Sequence, residues 1–282
     1  MMPLEASRSL PPPDIYLVGT GIQGVWHLTR EAEACLRASR HVFLVDHGYG
    51  VAQHIAGLGP TVHNLLGHYR EGGNRVDTYR SMAAQVLDKA LTEPSVSLAV
   101  YGHPCFFVYP STLIRRAAAH LDLTVHVVAG VSSLDTLFVD LDLDPALNGL
   151  QIYDANALLV ERRALDTEVP CLLLQVDAVE SAYYTNARSR ARRFERLQSH
   201  LLRFYPPDHS VSNVRSANFA IYEPEIVTFK LDKLAEEYAT KNLGGTLYIP
   251  KAKHARPDEE LVRQVFDPFH LGRISYQEER SQ

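Results

Sequence analysis

"VSLAVYGHPCFFVYPSTLIRRAAAHLDLTVHVVAGVSSLD", residues 96–135, is the stretch from which we predict the fold class of the chain. Two apolar runs in it, residues 96–102 and 124–130, are rich in valine and have the length of buried strands. Between them, Ser111 is placed to cap a helix that runs through "TLIRRAAAHL". A second helix is predicted at residues 131–141. Helices that join such strands favour a parallel sheet, so the predicted fold class is α/β.

The same alternation extends towards the N-terminus, where strands and helices are predicted in turn at residues 15–21, 22–39, 41–46 and 53–59. A polar loop at residues 65–75 follows. Beyond it, apolar side chains recur every three or four positions from Tyr79 to Ala90, which predicts an amphipathic helix. Asp77 stands just ahead of this pattern and is predicted to be the N-cap of that helix.

The pattern changes in the second half of the chain, where strands are less regularly separated by helices. Strands are predicted at residues 169–176, 217–224, 225–231 and 246–250, and helices at 188–205 and 231–241. The last thirty or so residues carry little periodicity beyond "DEELVRQVF", residues 258–266. Such an order is typical of a mixed sheet. We therefore predict a disordered tail at 1–14, an N-terminal α/β domain at 15–135, a C-terminal domain with a mixed sheet at 136–250, and a C-terminal extension at 251–282.

Composition narrows the possible functions. The chain has 282 residues, 46% of them hydrophobic, with a net charge of −5. This charge does not fit a nucleic-acid-binding protein. The three cysteines lie far apart, and the histidines form no metal-binding spacing, so we expect neither disulfides nor a metal site. With no signal peptide and no apolar run of about 20 residues, we expect a cytoplasmic protein without a membrane span.

Two loops of small and aromatic residues are predicted to meet at one edge of the sheet. The first is "YGHPCFFVYPS", residues 101–111, and the second is "AGVSSLD", residues 129–135. Each follows a predicted strand and opens a helix, whose N-terminal N–H groups can bind polar ligand atoms. Because the carboxyl ends of parallel strands converge on one crevice, we expect a ligand to bind there.

A third glycine-containing turn, "VGTGIQG", places Gly19, Gly21 and Gly24 between a strand and a helix. On paper this spacing matches a dinucleotide-binding fingerprint, with Asp46 in the position of a ribose-binding acid. The alternative interpretation is an ordinary turn between a strand and a helix. The spacing alone leaves both interpretations open.

The segment "LLGHYREGGNRVDTYRSM", residues 65–82, places Tyr69 and Tyr79 on either side of Arg75. One interpretation is a surface loop that leads into a helix whose first core residue is a tyrosine. The other is a site that removes a proton, because a guanidinium stabilises a nearby phenolate. The spacing by itself leaves both interpretations open.

Together, "VGTGIQG", "YGHPCFFVYPS", "AGVSSLDTLFVDLDLDP" and "GGTLYIP" resemble the tetrapyrrole methylase superfamily from about Ile15 to Pro250. The resemblance implies a two-domain fold with S-adenosylmethionine in the cleft between the domains and S-adenosylhomocysteine as product. Members usually carry Gly-Asp-Pro in the central loop, where this chain has Gly102-His103-Pro104. With "HYREGGNRVDTY", that loop is similar to the borosin-type branch, which N-methylates backbone amides of ribosomal peptides. The branch implies a homodimer, or a heterotetramer in which two enzyme chains bind two precursor chains.

The resemblance also implies the site residues. The catalytic residues of the family correspond to Tyr69, Arg75, Tyr79 and Tyr101. Its cofactor contacts correspond to Tyr101, Gly102, His103, Pro104, Phe106, Val108, Ala129, Val131, Ser132, Gln175, Gly245 and Thr246. Since no long C-terminal extension with an apolar peptide is recognisable, we expect the precursor to be a separate chain.

An amide nitrogen is a poor nucleophile because its lone pair is delocalised into the carbonyl. The hypothesis is that Arg75 lowers the pKa of Tyr79 or Tyr69, with Tyr79 slightly favoured as base, while Tyr101 orients the amide. Two alternatives remain: a methyltransferase for a tetrapyrrole or another small molecule, and a non-catalytic partner that binds cofactor and peptide. The arginine-rich segment 188–196 is either a solvated helix face or a docking surface for an acidic partner.

Overall fold

The computed structural model of the protein describes residues 12–219, 221–253 and 257–275. Residues 1–11, which make up most of the predicted disordered tail, lie outside the described part. Within these ranges no helix has both the length and the apolar character that crossing a membrane requires.

The first sheet consists of five strands that all run in the same direction. They are β1 (Ile15–Gly19), β2 (His41–Val45), β3 (Thr61–Asn64), β4 (Val96–Val100) and β5 (Val125–Val128). Their order across the sheet is β3-β2-β4-β1-β5, and every pairing is parallel. Every residue of the central strands β1 and β4 is buried, as their continuous apolar runs predicted.

Helices cover both faces of this sheet, and the apolar cores on the two faces are separate. The helices are α1 (Arg30–Ala38), α2 (Val51–Gly57), α3 (Arg75–Thr92) and α4 (Tyr109–Ala118). The next helix, α5 (Ser133–Asp140), packs against residues of the second sheet instead. On one face, α3 packs along α4 through residues such as Met82, Val86 and Ile114. We call β1–β5 with α1–α4 the N-terminal unit.

The second sheet is mixed, which confirms the predicted fold class. Its strands are β6 (Gln151–Asp154), β7 (Cys171–Leu174), β8 (Ser210–Arg215), β9 (Glu225–Lys230) and β10 (Thr246–Ile249). They lie in the order β6-β7-β10-β8-β9. Only β6 and β7 pair in parallel, and the remaining pairs are antiparallel.

The helices after α5 differ in how much they contribute to the core. They are α6 (Pro145–Asn148), α7 (Ala155–Val160), α8 (Arg192–Leu201), α9 (Leu234–Lys241), α10 (Glu259–Val265) and α11 (Pro268–Ile274). Helix α8 buries Phe194, Leu197 and Leu201 in the core of the second sheet. We call β6–β10 with α6–α9 the C-terminal unit. We keep residue 135 as the proposed domain boundary, because Leu137 of α5 packs with Leu172 and Val214 of the second sheet.

Several strands were missed or misplaced by the sequence analysis. Strands β3, β6 and β8 have the sequences "TVHN", "QIYD" and "SVSNVR", which mix polar and apolar residues and lack a continuous apolar run. The strand predicted at 217–224 is wrong, because β9 begins at Glu225 and the described residues before it form a turn. Those residues join β8 to β9 as a hairpin loop.

Three predicted helix starts are also corrected. The helix expected at 22–39 is a short 3₁₀ turn at Gly24–His27 followed by α1. Helix α3 is capped by Asn74, whose side chain accepts from the Val76 N–H at 2.8 Å, and not by Asp77. Helix α4 begins before Ser111, so this serine lies inside the helix and is not its cap.

Two further predicted helices have different ends in the structure. The helix expected at 188–205 is shorter, since α8 covers only Arg192–Leu201. The segment expected at 231–241 divides into a 3₁₀ turn at Leu231–Lys233 and α9. These shifts move the ends of helices without changing the order of the elements.

Candidate active site

A cleft of about 670 Å³ opens between the two units, at the carboxyl ends of β2 and β4. A volume of this size is typical of cofactor and small-molecule sites. Loops from the N-terminal unit form one wall, and the ends of β6 and β7 approach from the other. The lining residues are Val45, Tyr69, Arg75, Val76, Tyr79, Val100, Tyr101, Cys105, Phe107, Val108, Tyr109, Pro110, Thr112, Asp154, Asn156, Gln175, Ala178, Ser181 and Ala182.

All four residues with implied catalytic roles line this one cleft. Tyr69 follows a 3₁₀ turn after β3. Arg75 and Tyr79 lie one helical turn apart at the start of α3, so both side chains project from the same side of the helix. Tyr101 is the first residue after β4, and its N–H donates to the Val45 carbonyl at 3.0 Å. The structure therefore brings the four side chains together in one cleft.

Two further tyrosines complete a cluster of phenol rings in the cleft. The ring centroids of Tyr69 and Tyr79 lie 6.2 Å apart, and those of Tyr79 and Tyr109 lie 6.1 Å apart. Tyr184, from the C-terminal unit, lies 5.1 Å from Tyr69. Sequence reasoning missed Tyr109 and Tyr184 because no periodic pattern or motif distinguishes them from packing residues.

The side chain of Arg75 lies in an unusual environment for a cation. Its Nε atom is buried and has no hydrogen-bond partner among the described residues. Its guanidinium carbon lies 5.7 Å from the ring centre of Tyr184, in the range of a cation–π contact. Because a buried donor without a partner is costly, this nitrogen is suited to bind an acceptor on a ligand.

The pKa of Tyr69 is raised above its ordinary value, mainly because the phenol is buried. The neighbouring Tyr79 adds to this increase through its charge and its hydrogen bonding, and Tyr184 adds a smaller effect. Arg75 acts in the opposite direction, as the sequence hypothesis expected, but burial outweighs it. The expectation of a lowered pKa is therefore wrong for Tyr69.

Tyr101 also holds its proton firmly. Tyr101 is 43% exposed, yet the partial burial of its phenol, followed by the nearby Asp46 carboxylate, raises the pKa of Tyr101 to about 12. Asp46 itself is buried and accepts hydrogen bonds from the Thr20 hydroxyl and from the Gly48 N–H. At neutral pH the Tyr101 hydroxyl is thus a hydrogen-bond donor and not a base.

The residues with implied cofactor roles divide into two groups. Tyr101, Val108 and Gln175 line the cleft. The remaining positions lie outside its lining: Gly102, His103, Pro104, Phe106, Ala129, Val131, Ser132, Gly245 and Thr246.

Several members of this second group have local structural contacts. His103 Nδ1 accepts from the Cys105 N–H at 3.0 Å, which shapes the loop after β4. Ser132 and Asp135 form a reciprocal capping box at the start of α5. Gly245 has φ +114°, and a Cβ there would lie 2.4 Å from the Val214 carbonyl oxygen. A side chain larger than glycine does not fit at Gly245.

The glycines of "VGTGIQG" allow close packing of loops. A Cβ on Gly19 would lie 2.4 Å from the Gly102 carbonyl oxygen, and one on Gly130 would lie 2.8 Å from the same atom. Gly24 begins only a short 3₁₀ turn, and α1 starts at Arg30, so no helix N-terminus directly follows the turn. Asp46 is engaged by Thr20, as described above. These observations favour the turn over the dinucleotide-binding interpretation.

Two residues of the cleft have a strained backbone. Phe107 and Gln175 have φ values of +60° and +57°, which are uncommon for residues other than glycine. Such strain is often concentrated at functional sites, where the surrounding structure maintains it. Phe107 remains 54% exposed at the edge of the cleft, so its ring is available for contact with a ligand.

Three arginines of the arginine-rich segment are engaged in contacts within the protein. Arg188 donates to the Thr240 carbonyl, and Arg193 donates to the Val179 carbonyl at 2.8 Å. Arg196 lies 3.3 Å from a Glu180 carboxylate oxygen. These contacts favour a structural role for part of the segment over a docking surface for an acidic partner. Within the described ranges, no group of three or more potential metal ligands is close enough to hold a metal ion.

The two sheets, with a cleft between them at the strand ends, define a two-domain α/β protein. The family model "Tetrapyrrole (Corrin/Porphyrin) Methylases" matches residues 14–234. The chain therefore belongs to the tetrapyrrole methylase family, a family of methyltransferases. This confirms the family that the sequence motifs resembled.

Curated relatives are similar over most of this chain. The chain is 29% identical over 262 residues to the methyltransferase/ribosomally synthesized cyclic peptide dendrothelin A precursor of Dendrothele bispora. It is 26% identical over 264 residues to the corresponding omphalotin A precursor of Omphalotus olearius. These alignments cover 92% and 93% of this chain, respectively. The chain spans 63% of the length of each relative.

Solved structures share the fold at lower sequence identity. Uroporphyrin-III-C-methyltransferase from Thermus thermophilus superposes with a TM-score of 0.60 at 17% identity, covering 86% of this chain and 93% of that one. A cobalt precorrin-4 methyltransferase superposes with a TM-score of 0.56 at 14% identity, covering 84% of this chain and 94% of that one. At these identities the likeness concerns the fold.

Proposed function

We propose that this protein uses S-adenosylmethionine to methylate backbone amides of a ribosomally made peptide. The proposal is supported by its family and by relatives whose names join a methyltransferase to a cyclic peptide precursor. The observation that carries it is the buried Nε of Arg75, which lies among phenols in the cleft and has no hydrogen-bond partner in the described part of the chain. A site that must hold a developing amide anion needs a fixed cation of this kind.

The residues present fit the proposed cofactor. The cleft lies at the carboxyl ends of parallel strands, and its volume is large enough for a nucleoside together with a short peptide segment. Tyr101, Val108 and Gln175 are the lining residues that we propose to contact it. When bound, S-adenosylmethionine supplies a methyl group on a positively charged sulfur, and S-adenosylhomocysteine is the product.

In the proposed mechanism, Tyr79 is the base and Tyr69 keeps its proton. Burial makes Tyr69 hard to ionise, and its interaction with Tyr79 favours the protonated form of Tyr69. We therefore assign the removal of the amide proton to Tyr79. Arg75 stabilises the Tyr79 phenolate and then the developing amide anion.

Tyr101 completes the proposed mechanism as a donor. Because its pKa is raised to about 12, its hydroxyl stays protonated and can donate to the substrate carbonyl oxygen. Such a hydrogen bond would orient the amide and delocalise its charge. Bound S-adenosylmethionine would supply the methyl group to the amide nitrogen while Tyr101 holds the amide in place. Positioning two bound reactants in this way accounts for much of an enzyme's acceleration.

The arrangement of the substrate is a further part of the proposal. The relatives' names place enzyme and precursor in one chain, whereas we expected a separate precursor peptide from the sequence. We keep the separate precursor as the proposed form, acting with a homodimer or a heterotetramer. An assay that supplies an apolar peptide in trans distinguishes it from methylation of the chain itself, because mass spectrometry locates the added methyl groups.

The test of the function is a single-turnover assay with isotopically labelled S-adenosylmethionine. We expect peptide fragments that are heavier by one methyl mass on backbone nitrogen. A porphyrinoid added in place of the peptide is the control for the small-molecule alternative. Label found only on the porphyrinoid, or binding of cofactor and peptide with no label transferred, would overturn the proposal.

A further inference from the structure

The loop that leads into α3 is joined to the C-terminal unit by a short ladder of backbone hydrogen bonds. The Gly72 N–H donates to the Tyr184 carbonyl at 2.9 Å, and the Tyr184 N–H donates to the Gly73 carbonyl at 2.8 Å. The Arg75 N–H donates to the Ala182 carbonyl at 2.9 Å. Residues 71–75 and 182–186 therefore pair like two antiparallel strands across the gap between the units.

The Glu71 side chain adds two hydrogen bonds beside the Gly72 end of this ladder. The Glu71 carboxylate accepts from the Thr185 hydroxyl and from the Asn186 N–H, the latter at 2.9 Å. These two donors, the hydroxyl first, lower the pKa of Glu71 below its ordinary value. Although Glu71 is exposed, it therefore spans the two units as a charged acceptor with two partners.

The same segment places an aromatic ring against the candidate catalytic cation. Tyr184 lies under the guanidinium of Arg75 and beside the ring of Tyr69. Its hydroxyl donates to the Asn186 side-chain oxygen at 2.7 Å. The ring is thus held from both ends, because its backbone belongs to the ladder and its hydroxyl is tied to the following turn.

We propose that residues 71–75 and 182–186 form a clasp between the two units, and that Glu71 and Tyr184 are positioning residues that hold Arg75 in the cleft. The inference rests on the proposed function, since it concerns where the guanidinium stands. Arg75 is the first residue of α3, and Gly72 and Gly73 precede the Asn74 cap of this helix. The clasp fixes its backbone, and the Tyr184 ring fixes the orientation of its side chain.

The first test measures the clasp without any activity. In Glu71→Ala, hydrogen exchange of the Gly72, Tyr184 and Asn186 amides should become roughly tenfold faster, because the charged acceptor is lost. Exchange in β1 and β4 should be unchanged. Asp77→Ala is the matched control, since among the described residues this nearby carboxylate pairs with Arg80 alone. Unchanged exchange in Glu71→Ala would overturn the clasp, whatever the activity of the protein.

The second test measures positioning. In Tyr184→Leu, kcat should fall by roughly tenfold, because the guanidinium loses its aromatic support. Tyr184→Phe keeps the ring and should recover most of that loss. Equal losses of kcat in both variants would show that the hydroxyl and not the ring matters, and would overturn the role of Tyr184. If the wild-type protein methylates no peptide, the proposed function fails while the exchange result still decides the clasp.

Discussion

At the scale of single residues, the surroundings of Arg75 show that burial can outweigh a nearby positive charge in setting the pKa of a phenol. Its guanidinium carries a charge at every relevant pH, yet the phenol of Tyr69 beside it is harder to ionise than in water. Burial of a neutral phenol is tolerated, whereas burial of a phenolate requires a positive partner. Both Tyr69 and Tyr79 line the cleft, and we assign the base to Tyr79 because burial disfavours ionisation of Tyr69.

This assignment leads to a prediction about the two tyrosines. Tyr79→Phe should lower kcat by roughly a hundredfold or more, because it removes the proposed base. Tyr69→Phe should have a smaller effect, since that phenol keeps its proton. Single-turnover rates for both variants would separate them, and calorimetric titration with S-adenosylhomocysteine controls for cofactor binding. Equal rates in wild type and Tyr79→Phe would contradict the mechanism.

A second prediction at this scale concerns two buried phenols in the core of the C-terminal unit. The Tyr238 hydroxyl donates to the Asn213 side chain at 3.0 Å, whereas the Tyr205 hydroxyl has no partner among the described residues. Tyr238→Phe should therefore lower the free energy of unfolding by about 1–3 kcal/mol.

The matched variant, Tyr205→Phe, removes a hydroxyl that was already unsatisfied. We expect its free energy of unfolding to stay the same or to rise by about 1 kcal/mol. Urea denaturation of the two variants measures both values. A larger loss for Tyr205→Phe than for Tyr238→Phe would show that the Tyr205 hydroxyl has a partner in solution.

At the scale of elements, the start of α3 matters because it carries Arg75 and Tyr79. Asn74 caps this helix, although the sequence pattern pointed to Asp77. Asn74→Ala should cost about 1 kcal/mol of unfolding free energy, because an N-terminal N–H loses its acceptor. Asp77→Ala should cost less, since its exposed pair with Arg80 contributes little. Thermal unfolding of the two variants compares them, and the reverse order would support Asp77 as the cap.

The packing of β1 against the loops after β4 and β5 leads to another prediction. At Gly130 an added Cβ would lie 2.8 Å from the Gly102 carbonyl oxygen, and rigid backbone surrounds it. Gly130→Ala should therefore destabilise the protein by about 1–3 kcal/mol.

The control for Gly130 is Gly57, at the end of α2, where an added Cβ meets nothing within 4 Å. Gly57→Ala should raise stability by up to about 1 kcal/mol, because alanine loses less conformational freedom in a helix. Denaturation midpoints of the two variants test the contrast. A neutral Gly130→Ala would mean that the loops after β1, β4 and β5 can separate at little cost.

At the scale of the whole molecule, the sequence predicted the elements that depend on local pattern. Strands β1 and β4 are continuous apolar runs, and α3 has a clear helical period, so each could be found without tertiary information. Strand β8 could not be found, because alternate residues of "SVSNVR" face a core that only the folded sheet creates. The mixed order of the second sheet likewise depends on contacts between distant segments.

The candidate site likewise has features that the sequence could show and features that only the folded structure shows. Family resemblance was needed to select Tyr69, Arg75, Tyr79 and Tyr101, and the fold brings them to one cleft. No sequence pattern could show that Tyr184, more than 100 residues after Arg75 in the chain, packs against its guanidinium. Nor could it show that burial outweighs the guanidinium in setting the pKa of Tyr69. Both effects depend on how the two units meet.

The last prediction concerns stability of the whole molecule at alkaline pH. Burial raises the pKa of Tyr205 and of Tyr238, and it raises that of Tyr101 to about 12. An unfolded tyrosine ionises at a pH of about 10. Above that pH the unfolded chain loses these protons while the folded protein keeps them, so the unfolded state is favoured. Stability should thus be full below about pH 10 and fall as pH rises towards the raised values.

Urea denaturation at several pH values between neutral and strongly alkaline measures this dependence. Tyr205→Phe should make the alkaline loss of stability shallower, because one of the buried phenols no longer titrates on unfolding. The slope of unfolding free energy against pH reports the difference in bound protons, so each buried phenol that is removed should reduce it. An unchanged slope in Tyr205→Phe would mean that this phenol ionises at the same pH in the folded and unfolded states, and hence that water reaches it in the folded protein.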